Sequence, residues 1–351
     1  MMDTYFLGAN TPEGFRSEYA TLQSDQRIKR LLIVKGGSGC GKSTLMKTLG
    51  ARAEEYGWAV ERVLCSSDPD SLDGLVIPEL GLALVDGTAP HVVEPALCGC
   101  GANYLNLGRC YREEVLRPLI PAIRAAKAAN TACYSPAYGC LRAASALSTA
   151  RRRLLSRERI RAVTEEALGQ LLEGKPPQGK KPGTVRRVYL SGITPKGLLT
   201  LPAGEGRIWA ILDGWGVGMA LLRTLADRWR ETGEDVILAM DPLDPDAVQG
   251  VFLPGKDQGW LRVHPAFPGP RQAMLRLDLD AALAEGLPDA VLAGTRELEA
   301  LERRLLREAV GWLAQAKANH DLIEELYRPA VDFAAVTRET ELLCRELFTE
   351  S

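Results

Sequence analysis

The sequence predicts an α/β protein of two tandem domains, each a mostly parallel sheet with flanking helices. Three observations predict this class: the 351-residue chain repeats itself, short apolar runs alternate with helical segments, and a glycine-rich turn joins one such run to a helix. Alternating strands and helices are typical of parallel sheets covered on both faces. A chain of this length also exceeds one ordinary hydrophobic core, which favours two domains.

The repeat appears at a shift of 176 residues, which matches 12 of 36 positions between residues 43 and 78. Unrelated sequences of average composition would match at about 6 % of positions. The pattern Thr-Pro-x-Gly also occurs twice, at residues 11–14 and 194–197. Each half of the chain therefore begins before its own glycine-rich segment.

These observations place the first domain at residues 1–173 and the second at residues 187–351. The segment between them, residues 174–186, is rich in Pro, Gly and Lys, a composition that disfavours a packed element and is typical of a linker.

Within the first half the predicted order is strand, glycine turn, helix, strand, helix, strand. The predicted elements are strands at residues 31–34, 60–64 and 80–85 and a helix at residues 43–56. Gly57 stands where a helix C-cap glycine belongs. Residues 113–172 and 281–350 are rich in Ala, Leu, Arg and Glu, which favours helices. Asp70 with Asp73 has the spacing of a helix cap and predicts the start of the second helix.

The glycine-rich turn fits the phosphate-binding (Walker A) pattern G-x-x-x-x-G-K-[ST] in full and follows an apolar strand. The expected nucleotide-binding residues are Gly36, Gly37, Ser38, Gly39, Cys40, Gly41, Lys42, Ser43 and Thr44. Glycines let the backbone approach phosphates closely, and a helix N-terminus favours negative charge. The sequence therefore predicts two tandem P-loop NTPase-like domains, the first of which binds a nucleoside triphosphate, with ATP and Mg²⁺ as cofactors.

Individual residues have predicted roles in that chemistry. Lys42 is expected to reach the β- and γ-phosphates, and the Ser43 hydroxyl to ligate Mg²⁺. Asp86 ends an apolar run and is the expected second Mg²⁺ ligand. Glu79 is a candidate for orienting the attacking water, with ordinary surface charge as the alternative. His91 is a candidate γ-phosphate sensor, with a structural histidine as the alternative.

The second half lacks this set of residues. Its loop, residues 213–218, has lost the lysine, and Ser43 is matched by Met219. Asp86 is matched by Arg262, a cation at the position of a metal ligand. We therefore expect residues 187–351 to form a degenerate domain with a pseudo-site.

The sequence resembles a bacterial family of tandem-duplicated P-loop proteins labelled ATPase or hypothetical protein. The resemblance rests on the two Thr-Pro-x-Gly patterns, the loop, and the segments DPDSLD (68–73), IPE (77–79), DGTAPH (86–91) and NLG (106–108). It implies nucleotide binding with no known substrate. Members typically carry an intact loop in each half, so this chain departs from the family at Gly218 and Met219.

Three function classes stay open: a P-loop ATPase whose first half hydrolyses ATP, a small-molecule kinase, and a nucleotide-dependent switch with little turnover. The absence of a glutamate directly after Asp86 favours the switch. A net charge of −2 gives no reason to expect nucleic acid or a membrane surface as a partner. A protein partner is not identified and stays open.

The eight cysteines and the absence of a leader peptide or apolar span predict a cytoplasmic protein with reduced thiols. Cys98, Cys100 and Cys110 cluster in the sequence, but their spacing is not a usual zinc spacing. Buried small thiols are the preferred interpretation of this cluster, with a metal site as the alternative.

Overall fold

The computed structural model describes residues 2–172, 181–204, 206–267, 269 and 275–348. The first part of the predicted linker, up to residue 180, lies outside the described residues. In chain order the strands are β1 Thr4–Phe6, β2 Gly8–Thr11, β3 Gly14–Ser17, β4 Arg30–Lys35, β5 Glu61–Cys65, β6 Asp68–Ile77, β7 Leu82–Asp86, β8 Ala102–Asn106, β9 Val185–Val188, β10 Ser191–Thr194, β11 Gly197–Thr200, β12 Arg207–Leu212, β13 Val236–Asp241, β14 Asp244–Leu253, β15 Gln258–Val263 and β16 Leu275–Asp278. The helices are α1 Lys42–Glu55, α2 Glu113–Leu116, α3 Ile120–Arg152, α4 Arg157–Leu171, α5 Gly218–Glu231, α6 Leu279–Ala284, α7 Asp289–Tyr327 and α8 Phe333–Phe348.

The chain divides into two compact units that differ from the boundaries predicted at residues 173 and 187. The first unit comprises Asp3–Gly8, Ser17–Ser135 and Trp312–Ser351, and the second comprises Met1–Met2, Ala9–Arg16 and Pro136–Gly311. The long helices α3 and α7 each contribute residues to both units. The first unit therefore combines the N-terminal sheet with C-terminal helices that the sequence assigned to the second domain.

The first unit contains a six-stranded sheet in the order β1-β5-β6-β7-β4-β8. Three neighbouring pairs are parallel, and β6 runs antiparallel to both of its neighbours. Apolar residues of α1, including Leu45 and Leu49, share a buried core with Leu32 and Leu84 of the sheet and Leu343 of α8. Removing such surface from water contributes about 25 cal/mol per Å², so this core anchors α1 and α8 to the sheet.

The second unit repeats the first strand for strand. Its sheet has the order β16-β12-β15-β14-β13-β9, which read from β9 is the order of the first sheet, with the same parallel and antiparallel pairs. The two Thr-Pro-x-Gly segments form the hairpins β2-β3 and β10-β11. Both hairpins belong mainly to this unit, where Asn10 Nδ2 donates a hydrogen bond to the Ile193 carbonyl (2.9 Å). The predicted α/β class, with two repeated halves and mostly parallel sheets flanked by helices, is confirmed.

The helix predicted between the second and third strands is wrong, because residues 68–77 form strand β6. Six consecutive residues from Leu72 to Ile77 are buried, and β6 hydrogen-bonds on both sides, to β5 and β7. Asp73 is the extra residue of a β-bulge, since Val63 pairs with Gly74 but Leu64 pairs with Leu72. The predicted helix cap at Asp70 and Asp73 is therefore also wrong. Gln249, the equivalent of Asp73 in the repeat, is likewise the extra residue of a bulge in β14.

A helix that crosses a bilayer needs about 20 predominantly apolar residues. Among the residues described above, no helix combines the length and the apolar character that such a crossing needs.

Candidate functional site

The glycine-rich loop joins the end of β4 to the start of α1, as predicted. Gly39 (φ +69°) and Gly41 (φ +90°) have left-handed backbone conformations that favour glycine. A Cβ atom added at Gly36 would lie 2.5 Å from the Cys40 Sγ, and one at Gly37 would lie 2.9 Å from the Tyr111 hydroxyl. Glycine is therefore required at these positions by backbone angle or by contact.

Lys42 and Asp86 meet at this loop. The Lys42 ammonium donates hydrogen bonds to the carbonyl oxygens of Gly36 (2.8 Å) and Gly37 (2.9 Å), and lies 3.5 Å from the Asp86 carboxylate. Strands β4 and β7 are adjacent and parallel, with Val34 opposite Asp86, so their carboxyl ends bring the loop and the aspartate together. The other oxygen of Asp86 accepts hydrogen bonds from the N–H (2.9 Å) and hydroxyl (2.6 Å) of Thr88.

The remaining loop residues have distinct environments. The Ser43 hydroxyl accepts a hydrogen bond from the Leu72 N–H (2.9 Å), and Thr44 is exposed. Cys40 is buried, and burial raises the pKa of its thiol. The Ser38 carbonyl accepts a hydrogen bond from the Tyr111 hydroxyl (2.9 Å), a contact that fixes the tip of the loop.

The structure does not bring Glu79 to the loop. Glu79 lies in a 3₁₀ turn before β7, whereas the loop and Asp86 lie at the opposite, carboxyl end of that strand. Its carboxylate accepts a hydrogen bond from the Ala59 N–H (2.9 Å). A five-residue strand spans about 17 Å, so Glu79 has a structural contact in place of the predicted contact with water at the nucleotide.

Helices from the C-terminal part of the chain contact the loop, which sequence reasoning did not find. A Cβ atom at Gly39 would lie 3.6 Å from Glu324 of α7, and one at Gly41 would lie 3.1 Å from Val336 of α8. His320 (3.5 Å) and, to a smaller extent, the Gly39 N–H lower the pKa of the Glu324 carboxyl. No local motif marks these residues, because only the fold places them beside the loop.

The second loop is occupied by carboxylates of its own chain. The Asp213 carboxylate accepts hydrogen bonds from the N–H groups of Val217 (2.9 Å) and Gly218 (2.8 Å). The Asp280 carboxylate accepts a bond from the Gly214 N–H (2.7 Å). In an intact loop, N–H groups at these positions face phosphate oxygens. The backbone N–H donors that a phosphate group would need are therefore already hydrogen-bonded to Asp213 and Asp280 in the second loop.

Strand register places Arg262 at the position of Asp86. Arg262 pairs with Ile211, two residues before the second loop begins, as Asp86 pairs with Val34 before the first. The Arg262 guanidinium is buried, lies 3.6 Å from the Asp213 carboxylate and contacts the Asp241 carboxylate. In the second unit, an arginine that faces two aspartates thus takes the position that Asp86 has in the first unit.

The Asp280 carboxyl provides a test of this arrangement. Burial raises its pKa to about 6. A raised folded-state pKa means that the ionised carboxylate costs stability above about pH 6 and costs none below the ordinary range near pH 4. Asp280→Asn is therefore expected to raise the free energy of unfolding in urea by about 1–2 kcal/mol at about pH 7.5, and by clearly less at about pH 4.5, where the cost of ionising the buried carboxylate is only partly present. An equal difference at both pH values would contradict this prediction.

The first loop thus joins Lys42, Ser43 and Asp86 at the carboxyl end of a sheet, and the second loop carries none of these groups. Comparisons of the chain with protein-family models, with curated proteins and with solved structures give no match.

Proposed function

We propose that the first unit binds Mg-ATP at residues 36–44 and hydrolyses it, and that the second loop binds no nucleotide. One observation carries this proposal: at equivalent positions of two repeated sheets, the first loop gathers Lys42, Ser43 and Asp86, whereas Asp213 and Asp280 fill the second. Nucleotide binding and hydrolysis are therefore expected in the half that has Lys42, Ser43 and Asp86.

The residues of the first loop fit a nucleoside triphosphate. Left-handed glycines turn the backbone into a concave loop at a helix N-terminus, which favours negative charge. Mg²⁺ bound with the nucleotide neutralises phosphate charge and polarises the γ-phosphoryl group. With nucleotide bound, Lys42 would contact phosphate oxygens in place of its two carbonyl partners, and the Ser43 hydroxyl and the Asp86 carboxylate would hold the metal. Thr88 orients Asp86 through two hydrogen bonds.

A nucleotide-dependent switch with little turnover is a second candidate, which the contacts of Glu324 and Val336 with the loop favour. Loops that contact γ-phosphate often order or release neighbouring segments. In such a protein, binding at Gly39 would change the environment of α7 and α8 without requiring rapid hydrolysis. Phosphate release by the purified chain separates the two candidates: steady turnover favours the ATPase. ATP-dependent changes in hydrogen exchange in α7 and α8, without turnover, favour the switch.

The stoichiometry of binding tests the proposal directly. Calorimetric titration of the full chain with a non-hydrolysable ATP analogue is expected to give one nucleotide per chain and to require Mg²⁺. Ser43→Ala removes the metal hydroxyl and is expected to weaken Mg²⁺-dependent binding about 10-fold or more. The matched control Met219→Ala alters the equivalent position of the second loop and is expected to change nothing. Two nucleotides per chain, or a larger effect from Met219→Ala, would overturn the assignment of the loops.

A further inference from the structure

A second group of reactive side chains lies in the first unit, on the same sheet as the loop. Cys65 ends β5, Asp73 lies in β6, and His91 follows β7. The Cys65 Sγ, a carboxylate oxygen of Asp73 and a ring nitrogen of His91 all lie within 4.8 Å of one another. Asp73 and His91 are buried, and Cys65 is partly buried. The nucleotide chemistry proposed above uses none of the three.

The β-bulge in β6 and a buried tyrosine fix the position of Asp73. As the extra residue of the bulge, Asp73 is re-aimed relative to its neighbours along the strand. Its carboxylate accepts a hydrogen bond from the fully buried Tyr19 hydroxyl (3.0 Å), and the His91 Nε2 lies 3.1 Å from the same oxygen. Hydrogen bonds of this kind orient the carboxylates that ligate metal ions.

Backbone donors follow β5 at Cys65. The N–H groups of Ser67 and Asp68 act on the Cys65 thiol, but burial and the Asp73 charge outweigh them and raise the pKa of this thiol well above its ordinary value. In the second half the equivalent side chain, Asp241, accepts a hydrogen bond from the Leu243 N–H (2.8 Å). Both halves therefore direct backbone donors at this position. A thiolate here needs a nearby cation to offset its burial.

The second half places a cation of its own chain at this point, and the first half has an acid at the equivalent position. Arg262 contacts Asp241 in the second half, but its equivalent in the first half is the acid Asp86. Asp73 and His91 are matched by Gln249 and Phe267, which are neither acidic nor metal-binding at neutral pH. The three ligand-type side chains are thus present together only in the half that keeps the intact loop.

We propose that Cys65, Asp73 and His91 bind a transition-metal ion of the Zn²⁺ class. Sulfur, imidazole nitrogen and carboxylate oxygen are the ligands that Zn²⁺ takes in proteins, at about 2.0–2.3 Å. Tetrahedral ligand atoms at such bond lengths lie about 3.3–3.7 Å apart, so small side-chain rotations close this group on one ion. Three protein ligands leave a fourth position open for water or a substrate, the arrangement of catalytic rather than structural zinc. This site shares no ligand with the Mg²⁺ site proposed at Ser43 and Asp86.

Cobalt titration of the full chain, stripped of metal with a chelator, tests the proposal without nucleotide. One Co²⁺ per chain is expected, with the intense visible bands of a tetrahedral site and a thiolate-to-cobalt charge-transfer band. Zn²⁺ is expected to displace the Co²⁺. Cys65→Ser is expected to abolish the charge-transfer band. Tyr19→Phe, which removes only the bond that orients Asp73, is expected to weaken affinity about 10-fold.

The second half provides matched variants for the other two ligands. Asp73→Gln and His91→Phe install the residues that the repeat carries at the same positions, so both are expected to fold, which circular dichroism checks. Each is expected to lower Co²⁺ affinity at least about 100-fold. Cys98→Ser with Cys100→Ser controls for adventitious binding by exposed thiols and is expected to leave the spectrum unchanged. A wild-type chain without the bands, or bands that persist in Cys65→Ser and vanish in the control, would overturn the proposal.

Discussion

Lys42→Ala is expected to weaken ATP binding at least about 100-fold and to reduce phosphate release by a similar factor or more. In the proposed site the ammonium is the positive side chain that contacts the β- and γ-phosphates, and no water molecule would replace its charge. Its position, 3.5 Å from Asp86 and bonded to two loop carbonyls, places it at the centre of the loop. Calorimetry gives the affinity, and a coupled phosphate assay gives the rate.

Lys35→Ala is the matched control for this variant. Lys35 ends β4, just before the loop, and its ammonium donates to the Gly87 carbonyl (2.8 Å) and pairs with Glu94 (2.8 Å). The control removes the same charge at the end of the strand that precedes the loop and is expected to change ATP affinity less than about 3-fold, because the Lys35–Glu94 pair is partly exposed. ATP hydrolysis that persists in Lys42→Ala, or falls equally in both variants, would refute the proposed site.

The loop could be predicted from the sequence because its residues are contiguous. Glycines, lysine and serine occur at fixed spacing between an apolar strand and a helix, so the local pattern specifies the local structure. Asp86 was found by the same logic, as the end of an apolar strand. The difference between the two loops was found by comparing the chain with itself, and the structure shows that Asp213, at the position of Gly36, accepts hydrogen bonds from the second loop.

Strand β6 was missed because its sequence carries conflicting signals. Asp68-Pro69-Asp70 with Asp73 has the spacing of a helix start, whereas Leu75-Val76-Ile77 is equally compatible with a buried strand. Tertiary context decided between them, since the strand hydrogen-bonds to β5 on one side and β7 on the other. Because all six residues from Leu72 to Ile77 are buried, this strand lacks the alternation of polar and apolar residues that marks a half-exposed strand.

The contacts made by distant parts of the chain could not be predicted from any local pattern. Glu324 and Val336 reach the first loop only because the C-terminal helices belong to the first unit. Cys65, Asp73 and His91 have no motif spacing, and their proximity depends on the bulge at Asp73 and on the order of the strands. The sequence did contain one indication of this group. Cys65, Asp73 and His91 each differ in chemical type from the residue at the equivalent position of the second half.

The second unit keeps a buried charge network although its loop binds no phosphate in our proposal. Arg151 and Glu302 are 1 % and 0 % exposed and form an ion pair of 2.8 Å, and the His264 Nε2 lies 3.2 Å from Glu302. Nε and Nη2 of Arg151 have no hydrogen-bond partner among the described residues. The Arg151 charge therefore depends on Glu302.

Glu302→Ala is expected to destabilise the second unit by about 3–5 kcal/mol, because it leaves a buried guanidinium without its counter-charge. Urea unfolding followed by tryptophan fluorescence measures this loss, since Trp209, Trp215, Trp229 and Trp260 all lie in the second unit. Glu299→Ala is the matched control on the same helix: its pair with Arg303 is partly exposed, and its loss is expected to cost about 0.3–0.5 kcal/mol.

A double variant separates the cost of an unpaired charge from the worth of the pair. Arg151→Met with Glu302→Leu removes both charges and keeps most of the buried volume, so it is expected to recover most of the stability that Glu302→Ala loses. Recovery would mean that stability alone does not explain why the second unit has the Arg151–Glu302 ion pair. A double variant as unstable as Glu302→Ala would instead show that the network itself holds the second unit together. A loss below about 1 kcal/mol for Glu302→Ala, in the range of exposed pairs, would contradict the prediction.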